Sequence, residues 1–303
     1  MLTSPEDIFR IIALLTTVFF SYVFTWMAIR IAGRFNAIAG PNEKHVRTHT
    51  RPIPLMGGPA FLCAFFPGLI TTFLHESTWA GLIPALSVVI MLGLYKDCVQ
   101  RPLSPLLQLV IQAAAVGFLV SQNIQLVVSS STIVNCLSTI LLGVTLINAI
   151  NLLDVVDGLA GGISMLICCC CAALPWADGF TSGASLAALL AAAICGFLMH
   201  NYPPARIFMG DTGSYSLGLL LTAFACSLQA TKENPLLVTG ILFAVPLIEL
   251  TTTVSIRLLS GRSPFVGDGI HISLLLLNRG WSTKQILYFA YGIVLITNLF
   301  MLM

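Results

Sequence analysis

The chain is 303 residues long, 57% hydrophobic and only 9% charged, with a mean hydropathy of +0.95. Such values exclude an ordinary soluble domain. Its 14 Lys and Arg against 12 Asp and Glu leave a formal net charge of +2, and no nucleic acid is expected among its partners.

The expected fold class is an all-α polytopic integral membrane protein, read as a single integral membrane domain over residues 1–303. Apolar runs comparable to the roughly 20 residues that cross a bilayer fall near 9–32, 57–75, 80–96, 103–121, 131–150, 158–176, 183–200, 213–230, 236–258 and 283–303. About ten transmembrane helices are therefore expected, because a lipid-exposed backbone must satisfy its own hydrogen bonds. The first run is long enough to remain as a span rather than a cleaved signal. The nine cysteines, including the run Cys168 to Cys171, sit mostly in apolar stretches and read as small apolar filler.

An even number of spans puts both termini on one side. Arg10 and Lys232 fall on that side, whereas Arg30, Arg34, Lys44, Arg47, Arg51, Lys96, Arg101, Arg206, Arg257, Arg262, Arg279 and Lys284 fall opposite. Positive residues stay inside, so both termini are expected outside and the polar face cytoplasmic. Glu43, Asp97, Asp154, Asp157, Asp211, Glu249 and Asp268 share that face. A mixed cluster of acids and bases there suits an anionic substrate held with a divalent metal.

In chain order, the first polar segment runs from Gly33 to Gly58 and carries Lys44, His45, Arg47 and Arg51 ahead of Gly57-Gly58. It reads either as a phosphate-binding loop, with the glycines allowing close backbone approach, or as a positive-inside loop with a turn. Span three ends in Lys96-Asp97, a site pair or a snorkelling ion pair. Next comes NAINLLDVVDGLAGG, residues 148–162, where Asn148, Asn151, Asp154 and Asp157 recur at every third position. Steps of three drift by about 60° each on an α-helix. A break is therefore expected near Val155 to Gly158, with Asp157 capping the helix that follows. Polar groups in such apolar surroundings mark function by default.

Span seven closes with HNYPPARIFMGDTGS, residues 200–214. The prolines stop the helix, Arg206 supplies a cation, and Asp211 between glycines is either a ligand for a hard cation such as Mg²⁺ or a plain N-cap. The last polar segment, residues 257–280, concentrates Arg262, Asp268 and His271 in a Gly/Ser/Pro-rich stretch. Its LLLLN run is expected to form a short amphipathic helix along the interface.

These motifs, in this order, resemble the polyprenyl-phosphate N-acetylhexosamine-1-phosphate transferases, a superfamily that includes the phospho-N-acetylmuramoyl-pentapeptide transferases. RPIPLMGG, NAINLLDVVDGLAGG, NYPPARIFMGDTGS and GRSPFVGD…HI look like family signatures, and the PPARIFMGDTGS form is closer to the UDP-GlcNAc:undecaprenyl-phosphate GlcNAc-1-phosphate branch. The resemblance implies transfer of a sugar 1-phosphate from a UDP-sugar to a polyprenyl phosphate with release of UMP, in a bacterial inner (cytoplasmic) membrane. Mg²⁺, or Mn²⁺ in its place, is the implied cofactor, with Asp211 and Asp154 as ligands. Asp97, Asp154 and Asp157 are the implied catalytic carboxylates. Asn148, Asn151, Arg206, His271, Lys44 and Arg51 are the expected substrate-binding groups, and a homodimer is one assembly open to the chain.

The chain also departs from the family pattern. One acid of an Asp-Asp pair is missing, and either Lys96 or Cys98 stands in its place beside Asp97. Gln108 replaces a usual lysine, Val155 a usual glycine, and the histidine motif is reduced to His271-Ile272-Ser273-Leu274. The alternative reading is an impaired paralogue that binds polyprenyl phosphate or protein partners.

Overall fold

The computed structural model describes residues 5–40, 51–76, 79–174, 181–228, 235–265 and 271–302. Among these the chain is almost wholly helical. The helices are α1 (Pro5–Ile31), α2 (Gly57–His75), α3 (Leu82–Leu94), α4 (Pro105–Ser121), α5 (Thr132–Leu153) and α6 (Leu159–Ala173). They continue with α7 (Thr181–Asn201), α8 (Gly210–Leu228), α9 (Pro235–Leu242), α10 (Ala244–Leu259), α11 (Ile272–Asn278) and α12 (Thr283–Leu302). A two-residue antiparallel pair, β1 (Ile38–Ala39) and β2 (Ile53–Pro54), lies in the first polar segment.

Each of the ten apolar runs forms a helix or a helix pair, but the number of crossings by length and composition is smaller. Six helices are long and apolar enough to cross a membrane, or seven if the bent pair α9 and α10 forms one span. The run at 236–258, expected to be continuous, is broken by an 82° bend between Leu242 and Ala244. Pro246 lies in the first turn of α10, where the missing N–H costs no helical hydrogen bond. Helices α4 and α6 are shorter, at 17 and 15 residues. The LLLLN run forms α11 as expected.

Helix α8 is the axis of the fold: every one of its residues except Asp211 is buried. It packs against α5, α3 and α2, each through a glycine. A Cβ on Gly93 of α3 would collide with the backbone of Thr212, and one on Gly58 of α2 with the backbone of Gly213. On α8 itself, a Cβ on Gly218 would meet the backbone of Ile147 in α5. Lipid supplies no hydrophobic drive between helices, so close backbone approach through small residues is what lets them pack.

The polar connections lie at the end of the bundle where α8 begins. Strand β2 is held there by Phe208, whose N–H donates to Pro54 O at 2.8 Å, while Gly57 and Gly58 N–H donate to Phe208 O and Met209 O at 3.0 and 2.8 Å. The RPIPLMGG motif is thus bound to the RIFMG segment, and Ala39, Ile53, Ala205 and Phe208 form a small apolar core between them. The expected break between α5 and α6 covers residues 154–158, with Gly158 at φ +76°. The expected cap by Asp157 is corrected: Gly158 holds the N-cap position of α6 without a side-chain cap. The Asp157 carboxylate instead accepts from Ala205 N–H at 2.9 Å, since the chain before α8 passes close enough to need that acceptor.

Candidate active site

Helix α8 begins at Gly210, which has φ +75°, and its first N–H groups have no partners within the helix. Two carboxylates from elsewhere serve them. Asp154, just past the end of α5, accepts from Gly210 N–H. Asp97, in the π-turn Tyr95–Val99 that continues α3, accepts from Asp211 N–H at 2.8 Å, Thr212 N–H at 2.9 Å and the Thr212 hydroxyl at 2.6 Å. Negative groups belong at this end of a helix dipole. Asp97 is 5% exposed and holds the start of α8 in place; it remains at the edge of a cleft.

With Asp97 fixed in this way, its neighbour Lys96 is turned toward Asp211. The Lys96 Nζ lies 2.6 Å from Asp211 Oδ2 and donates to the Tyr215 hydroxyl at 2.5 Å. Tyr215 in turn donates to Gln108 Oε1 at 3.3 Å. The other Asp211 oxygen, Oδ1, accepts from Asn151 Nδ2 at 2.7 Å, and Asn151 also donates to Ser214 Oγ at 3.0 Å. The sequence left open whether Lys96 or Cys98 stands in for the missing acid. Lys96 is the residue that faces the site; Cys98 lines neither cleft.

Two clefts meet at Lys96, Asn151 and Asp211. The larger, about 530 Å³, has apolar walls from Leu109, Val144, Leu250, Val254 and Phe265, with Arg257 and His271 among its polar groups. The smaller, about 340 Å³, is lined by Asp97, Asp154, Gln100 and Arg101, with Phe208, Leu55 and Pro102 among its apolar groups. Removal from water, followed by the charges of Asp211, Asp97 and Asp157, pushes the Asp154 carboxyl well above the usual carboxylate range, against the Gly210 hydrogen bond.

The expected site residues separate into three groups. Asn148, Asn151, Asp97, Asp154, Asp211 and His271 line one cleft or the other. Asn148 donates to Gln112 Oε1 and to Val144 O, both at 2.7 Å, and His271 Nδ1 lies 3.4 Å from Glu249 Oε1. Asp157, Arg206 and Arg51 line neither cleft: Asp157 ties down Ala205, while the two arginines are exposed. Lys44, like Asp268, lies outside the described residues. Tyr215 was missed, although it follows Asp211 by four residues and so shares its helix face. Arg257, 4% exposed in α10, and Arg101 carried no signal beyond their charge.

The implied divalent ion fits this arrangement poorly. Among the described residues no three His, Cys, Asp or Glu side chains form a group that could hold a metal. Both Asp211 oxygens already carry donors, and Asp97 accepts three. Two unit charges of like sign 4 Å apart repel by about 4 kcal/mol at an effective dielectric of about 20, and a dication beside an ammonium by about twice that.

The model for glycosyl transferase family 4 matches residues 79–229, the stretch from α3 to the end of α8 that carries this geometry. The chain is 31% identical to a decaprenyl-phosphate N-acetylglucosaminephosphotransferase of Mycobacterium leprae, over 91% of this chain and 79% of that protein. The Mycobacterium tuberculosis protein of the same name is 30% identical, over 91% and 78%. An undecaprenyl-phosphate alpha-N-acetylglucosaminyl 1-phosphate transferase of Escherichia coli K12 is 29% identical, over 90% and 77%.

Proposed function

Because this chain belongs to glycosyl transferase family 4, we propose that it transfers N-acetylglucosamine 1-phosphate from UDP-N-acetylglucosamine to a polyprenyl phosphate. An oxygen of the lipid phosphate attacks the phosphorus that carries the sugar. The new P–O bond makes a lipid diphosphate, the bond to the bridging oxygen breaks, and UMP leaves with that oxygen and its charge.

The observation that carries this reading is the meeting of an apolar cleft and a polar one at Lys96, Asn151 and Asp211. The larger cleft suits an isoprenoid phosphate: its aliphatic walls take the first isoprene units, and Arg257, His271 and Lys96 attract the headgroup. The smaller suits a nucleotide diphosphate, with Arg101 for phosphate and Phe208 offering an apolar face to a base. The reacting phosphates then face each other across the Lys96 ammonium. Positioning and charge stabilisation dominate phosphoryl transfer, because a phosphate nucleophile is already ionised at neutral pH. The excess of basic residues on the polar side supports a cytoplasmic location for this face, where a soluble sugar nucleotide has access.

The test is formation of labelled lipid from radiolabelled UDP-N-acetylglucosamine and undecaprenyl phosphate by purified protein. The wild type is expected to form lipid-linked sugar and UMP in equal amounts. Asp211→Asn, which frees Lys96 from its partner and disturbs the junction, is expected to lose about a hundredfold in rate. Failure of the wild type with a panel of UDP-sugars would sink the reading.

A further inference from the structure

The transfer reading sets Lys96 between the two phosphates, and its surroundings say more about what it does there. Its ammonium has three N–H groups; Asp211 Oδ2 and the Tyr215 hydroxyl are the two described partners, which leaves a third for a ligand. The side chain is 24% exposed and lines both clefts. It is also held from three directions. Asp97, the next residue, is bonded to the start of α8, Asp211 faces it, and the Tyr215 ring lies 5.0 Å from Nζ. Lys96 cannot withdraw from Asp211 without releasing that cap or reversing its own side chain.

Resting on the transferase reading, we propose that Lys96 is the resident cation of this site. Its ammonium holds the position beside Asp211, meets the phosphates where the two clefts join, and keeps divalent ions from binding there. The positive charge that phosphoryl transfer requires is then covalently part of the chain. Arg101 on one side and Arg257 on the other supply the remaining cations. Asp211 becomes the group that orients the ammonium, with Asn151 fixing the carboxylate.

Two measurements on the purified full-length protein in detergent test this. Titration with Mn²⁺, followed by electron paramagnetic resonance, is expected to show no saturable site in the wild type. Lys96→Asp is expected to gain one, and Asp211→Asn added to that variant to remove it. Labelled-lipid formation by the wild type is expected to be unchanged by EDTA, whereas Lys96→Gln loses about a hundredfold with or without Mg²⁺. A saturable wild-type Mn²⁺ site abolished by Asp211→Asn overturns the proposal, as does wild-type transfer that stops in EDTA and returns with Mg²⁺. A Lys96→Asp protein that melts like the wild type yet gains no Mn²⁺ site also overturns it. If no labelled lipid forms under any condition, the transferase reading falls, and the Mn²⁺ titration alone still decides whether Lys96 holds the cation position.

Discussion

Asp97 is a buried carboxylate engaged by the start of a distant helix. Its two oxygens accept from two backbone N–H groups and a hydroxyl more than a hundred positions away in the chain, so its charge is matched to the positive end of α8. Asp97→Asn keeps the shape and one acceptor but replaces the other oxygen with a donor facing donors. The expected loss is about 1–3 kcal/mol of stability, read as a lower melting temperature in detergent, with Lys96 and the start of α8 displaced together. An effect on transfer with unchanged melting would instead place Asp97 against the substrate. Sequence pattern located this carboxylate, together with Asn151, Asp154 and Asp211, because polar residues among apolar ones are costly. It could not separate an acid that binds a ligand from one that serves a distant helix start, because residue type and spacing are the same for both. Asp157 shows the same limit, as the partner that claims it is the backbone of Ala205.

At the level of elements, the joints of the bundle are made by missing side chains. Gly93→Ala places a methyl group against the Thr212 backbone, which has no flexible end to move, so α3 and α8 must separate. Overpacking of this kind costs about 1–3 kcal/mol, and here it also moves Lys96 away from Asp211. Gly117 in α4 is the control, because a Cβ there meets nothing within 4 Å. Gly117→Ala is expected to leave the melting temperature unchanged or raise it, by helix propensity worth up to about 1 kcal/mol. Thermal melting of both variants in the same detergent checks the contrast. The break between α5 and α6 was legible, since four polar residues at steps of three cannot share one helix face. The bend between α9 and α10 was not, because residues 236–258 are apolar throughout except for Glu249, Arg257 and a few hydroxyls, and Pro246 alone does not fix an angle.

For the whole molecule, the distribution of charge gives the expected orientation. Twelve of the 14 Lys and Arg fall in segments expected on the side opposite the termini, and the clefts draw Lys96, Arg101 and Arg257 from that set. Reporter fusions after residue 302 and before residue 5 are expected to report an external location, and a fusion within residues 41–50 an internal one. A C-terminal fusion that reports the cytoplasm would mean an odd number of crossings and would reverse the assignment for the later half of the chain. Hydropathy made the membrane class plain, but the crossing count was less legible, because a helix enclosed by other helices has no need to look like one that faces lipid.

That enclosure bears on how the molecule is made. Although 19 residues long with Asp211 as its sole charge, α8 is not apolar enough to count as a span by composition. Left alone during synthesis, such a segment would gain little by leaving the aqueous channel for acyl chains. The helices that grip it, α2, α3 and α5, all emerge from the ribosome earlier. A waiting scaffold with glycine notches can therefore receive α8 as it arrives, and deletion of those three helices would be expected to leave it stranded outside the bilayer.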